Sequence, residues 1–67
     1  MKLSYDRSTD SLYIHLSDRP GADAREVEDG VVLDFDANGL LIGIDVQHAS
    51  RMTDLSSFLV EHVPAAA

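Results

Sequence analysis

Polar and apolar positions alternate over the first two thirds of the chain, the period-two signature of half-buried strands. Leu3 and Tyr5 against Lys2 and Ser4 predict a strand over about 2–5, and Asp6 to Ser11 follow as a polar turn. Leu12, Ile14 and Leu16, alternating with Tyr13, His15 and Ser17, predict a second strand over 12–17, which the Pro20-Gly21 pair ends. A short, charged stretch over 23–28 suits an edge strand. Asp29-Gly30 separates it from Val31-Val32-Leu33-Asp34-Phe35-Asp36, and Asn38-Gly39 separates that run from a strand over 40–46; Asp-Gly and Asn-Gly are both hairpin signals.

A two-residue loop at Asn38-Gly39 sets Phe35 opposite Ile42, Leu33 opposite Ile44 and Val31 opposite Val46, which makes one face wholly apolar. The other face then carries Val32, Asp34, Asp36, Leu41, Gly43 and Asp45. From Thr53 the period becomes helical, with Leu55, Phe58, Leu59, His62 and Val63 on one stripe before Pro64, so a helix is predicted over 53–63 with a frayed tail at 64–67. The fold class expected is α+β: one domain over 1–67, a small antiparallel β-meander of four to five strands with the C-terminal helix packed on the face of Leu12, Ile14, Leu16, Leu33, Phe35, Ile42 and Ile44.

With 67 residues there is room for one small domain with a thin folding margin, and the absence of cysteine excludes disulfides and thiolate metal sites. The net charge of −7 argues against a nucleic-acid partner, which calls for a basic stripe. No stretch reaches the length of a membrane span and no signal-peptide pattern opens the chain, so a cytoplasmic protein with no membrane partner is expected.

Candidate chemistry is sparse. Asp34, Asp36, Asn38, Gly39 and Asp45 reproduce the spacing of a calcium-binding EF-hand loop, with Asp in place of the final Glu. Strand alternation around an Asn-Gly turn explains the same residues, so divalent-metal binding through Asp34–Asp45 stands as the alternative function and no metal ligand is assigned. His15, His48 and His62 lack the spacing of a zinc motif; no Gly-x-Ser-x-Gly elbow and no glycine-rich loop entering a helix occurs. Neither catalytic residues nor a cofactor are therefore expected. If one helix covers one face, Tyr13, His15, Val32 and Leu41 remain on the other among the aspartates, and an apolar patch rimmed by charge marks an interface. The thin margin makes a homodimer the expected use of that patch.

Tyr5-Asp6, Asp10-x-Leu12-Tyr13-Ile14, Leu16-Ser17-Asp18, Gly30 to Gly39, and Gly43-Ile44-Asp45 followed by Val46 to Ser50 together resemble the bacterial and archaeal family called domain of unknown function 2283. The resemblance runs from Met1 to about Arg51 and departs at Leu40, where that family more often has a polar residue. It implies a small β-rich domain with a C-terminal helix and no agreed catalytic residues. It also implies, by association with neighbouring toxin-like proteins, an antitoxin-like role toward a basic protein partner, which the acidic charge suits.

Overall fold

The computed structural model describes residues 1–61 and Pro64. Five strands, β1 (Lys2–Asp6), β2 (Ser11–His15), β3 (Asp23–Glu28), β4 (Val31–Phe35) and β5 (Leu41–Val46), precede a single short helix, α1 (Ala49–Met52). All neighbours are antiparallel, in the order β1-β2-β5-β4-β3. The α+β class holds, and the meander is divided: the β1–β2 hairpin docks on β5, the last strand of a β3–β4–β5 meander. This order puts the charged β3 on an edge, where its polar residues stay in water, and sets apolar β2, β4 and β5 in the middle.

The registers align residues in rows across the sheet. One face carries Leu3–Ile14–Ile44–Leu33–Arg25 and Tyr5–Leu12–Val46–Val31–Glu28, the other Ser4–Tyr13–Asp45–Val32–Glu26 and Lys2–His15–Gly43–Asp34–Ala24. Leu33 opposite Ile44 and Val31 opposite Val46 are as the pattern predicts, but Phe35 faces Leu41, because Ile42 is an extra residue between two paired positions. The cause is the turn. Asp36 pairs with Leu40 around three residues, the Asp36 amide donating to the Leu40 carbonyl at 2.8 Å, with Gly39 at φ 79°. The bulge then restores the register that the apolar face demands. It also exchanges two side chains: Leu41 joins Phe35 on the apolar face, and Ile42 turns to the polar one, where it meets Gly21. The Asp29-Gly30 turn keeps a two-residue loop closed by Glu28 and Val31, with positive φ at Gly30 alone, and a second bulge falls at Val27.

The helix differs from the expectation. It ends at Thr53, whose backbone is extended, and Thr53–Glu61 form no helix; His62 and Val63 lie outside the described residues, as do Ala65–Ala67 of the tail. A three-turn helix is marginal without packing, and Asp54 binds the Ser56 amide and hydroxyl in a local turn that competes with helical hydrogen bonds. Leu55 and Phe58 line a groove together with Leu3, Tyr5, Leu12 and Ile14 without a helix. Short α1 is held from outside: its N-cap His48 is left-handed and offers no side-chain cap, and Asp10, 40 residues earlier, accepts from the Ser50 amide and hydroxyl and, through its carbonyl, from the Ala49 amide.

The core is correspondingly small: Leu12, Val46 and Ala49, with Ile44 packed against them. Ile42 is buried on the opposite face. The chain exposes 5292 Å², where a folded monomer of its mass exposes roughly 4,200 Å². Its radius of gyration is 13.0 Å, against about 11 Å for a compact chain of this length.

Candidate functional site

The polar face is organised by one side chain that crosses it. Tyr13 on β2 lies over Gly43 on β5 and donates its hydroxyl to Asp34 on β4 at 2.9 Å. A Cβ at Gly43 would fall on the Tyr13 hydroxyl and 2.5 Å from its Cζ, so the crossing needs glycine there. The bond to the carboxylate raises the Tyr13 phenol above its ordinary value of 10.0. His15, beside Tyr13 with ring centroids 6.0 Å apart, meets Asp18 at 3.0 Å. Gly43→Ala is expected to cost about 1–2 kcal/mol by displacing Tyr13 from Asp34. In a Tyr13→Ala background the same change becomes neutral or stabilising, since glycine in a strand is itself unfavourable by about 0.5–1 kcal/mol. A urea-denaturation double-mutant cycle measures the coupling; additive effects would mean that Tyr13 does not occupy the space over Gly43.

Asp36 has a different task. It is 6% exposed and accepts from the Leu40 and Asn38 amides at 2.9 Å and from Arg19 Nε at 2.6 Å, tying the β4–β5 turn to the loop after β2. These bonds, the Leu40 amide first, hold its carboxyl below the ordinary 3.8, and hydrogen bonds from Ser50 and Ser8 do the same for Asp10 and Asp6. Because the folded values lie below the unfolded ones, the stability they contribute is complete above the unfolded value and is lost as pH falls through the folded values. The urea midpoint is expected to be level from neutral pH down to about 5 and to fall steeply below about 4. Asp36→Asn is expected to lower the neutral-pH midpoint and flatten this acid limb; an unchanged limb would show that Asp36 is not one of the groups responsible.

The calcium-like spacing is thus a hairpin, with Asp36 turned to Arg19 and Asp34 to Tyr13. Among the described residues no group of three or more His, Asp or Glu side chains is placed to hold a metal ion. The depression over Tyr13, His15, Asp34 and Ile42 is shallow and open.

Of the four residues assigned to an interface, Tyr13, His15 and Val32 share the polar face as expected, whereas Leu41 lies across the sheet. All four are half-buried. Many of the large exposed apolar side chains gather elsewhere, though Val27, Leu40, Met52 and Leu59 are exposed as well. Leu3 and Tyr5 on β1 are 42% and 41% exposed, Leu55 and Phe58 41% and 71%, and Val60 joins Met1 and Leu3 beside Phe58. This patch continues the apolar face out to the β1 edge. At the far side Arg25 lies over the Phe35 ring at 4.8 Å and shields it. Sequence pattern missed the patch because a helix over 53–63 would have covered the sheet; the exposed apolar residues of β1 were the available signal.

No helix of the described residues is long and apolar enough to cross a membrane. The sequence model of the family described as "Protein of unknown function (DUF2283)" matches residues 2–50, which include all five strands and the start of α1. No curated protein and no solved structure matches the chain significantly.

Proposed function

Since this chain belongs to the DUF2283 family of proteins of unknown function, we propose its function from its own surfaces: a non-catalytic interaction module that self-associates through the apolar patch of Leu3, Tyr5, Leu55, Phe58 and Val60. The observation that carries this reading is the group of exposed apolar side chains along the β1 edge, with Leu3 at 42%, Phe58 at 71% and Val60 at 56%, in a chain that exposes roughly 1,100 Å² more than a compact monomer of its mass. A standard interface removes about 800 Å² from each partner. The polar face, with Asp34, Asp45 and Glu26, stays outward in such a dimer. Its acid charge suits a basic protein partner, which is the antitoxin-like part of the reading.

Salt separates the two contacts. Two copies of charge −7 repel, so raising salt from about 0.05 to 0.5 M is expected to tighten the dimer while weakening capture of a basic partner. Light scattering that gives the mass of one chain at both salts, at high protein concentration, would rule out the self-association.

A further inference from the structure

The sheet has two edges, and one is guarded. β3 carries Asp23, Arg25, Glu26 and Glu28 in six residues and is bent by the bulge at Val27, two devices that keep another strand away. β1 pairs with β2 in unbroken register over all five residues, and among the described residues no strand lies on its other side. Its sequence, Lys2-Leu3-Ser4-Tyr5-Asp6, is complementary to itself when reversed.

We propose that the self-association inferred above, on which this step rests, joins β1 to β1 of a second copy, antiparallel about a two-fold axis at Ser4. In that register Lys2 faces the partner's Asp6, Leu3 faces the partner's Tyr5, and Ser4 faces the partner's Ser4. Opposite charges meet twice on the polar face and an aliphatic–aromatic pair meets twice on the apolar face, the pairings that stabilise antiparallel strands. A slip of one residue would make the apolar face of one copy continue the polar face of the other, and a slip of two would take Lys2 and Asp6 away from each other, so alternation and charge together select this register. The segment carrying Phe58 and Val60 lies beside Met1 and Leu3 and comes to the seam. The product is a ten-stranded sheet whose outer edges are the two guarded β3 strands.

The chain has no cysteine, so Ser4→Cys introduces one thiol that the axis places opposite its own copy. Opposed residues of antiparallel strands have Cα atoms about 4.5–5.5 Å apart, within disulfide range. Mild oxidation is expected to link nearly all Ser4→Cys protein into dimers, whereas Ala24→Cys on β3 stays mostly unlinked. Lys2→Glu sets like charges together at both ends of the pairing and is expected to raise the dimer dissociation constant about tenfold, with Lys2→Arg near the parent value. A dimer in sedimentation in which Ser4→Cys links no better than Ala24→Cys, or in which Lys2→Glu is without effect, overturns the β1 pairing and leaves self-association standing. A monomer overturns both.

Discussion

Leu12→Ala is expected to lower stability by about 3 kcal/mol, the scale of a core leucine truncation, roughly a third or more of what a chain of this length has. Leu12 is 8% exposed and packs with Val46, Ala49 and Ile44, which together form the main core cluster. A chain of this length has a total stability of roughly 3–10 kcal/mol. Among the described residues no large side chain is fully buried, so the loss falls on a core that is already small. Urea denaturation followed by circular dichroism measures the loss; a change below about 1 kcal/mol would contradict the placement of the core on this face.

The second large effect concerns association. Leu3→Asp combined with Phe58→Asp is expected to raise the dimer dissociation constant by at least about 100-fold, because each change buries charge without a partner in the centre of the patch. Both side chains are exposed in the single chain, Phe58 at 71%, so the urea midpoint of the dilute monomer should move little. Sedimentation velocity reads the first quantity and denaturation the second. An unchanged dissociation constant would remove these residues from the interface.

The sheet was legible because alternation and turn chemistry agree. Leu33 opposite Ile44 and the edge position of β3 follow from residues visible in the pattern. What was not legible depends on contacts distant in sequence or on a single extra residue. The three-residue turn at Ala37–Gly39 and the Ile42 bulge move Leu41 and Ile42 to opposite faces, a change that composition cannot foretell because both side chains are apolar. Helical periodicity in Leu55, Phe58 and Leu59 gave the wrong element, since Asp54 binds Ser56 locally and the sheet accepts the segment without a helix. Asp10 reads as a turn residue, and its other task, holding Ser50, joins positions 40 residues apart. Gly43 likewise shows its purpose only when Tyr13 is seen to cross it. Without a helical layer over β1, the exposed apolar surface lies at Leu3 and Tyr5, and Tyr13 is committed to Asp34.

In the proposed dimer the β1 side of the apolar face is where the chain meets its own copy. Methyl NMR with a soluble paramagnetic probe, recorded on dilute and concentrated samples, tests it directly. The methyls of Leu3, Leu55 and Val60 should lose probe access as concentration rises, while that of Val32, on the polar face, keeps it. Protection of Val32 in place of Leu3, or no concentration dependence at any methyl, would contradict an interface at β1.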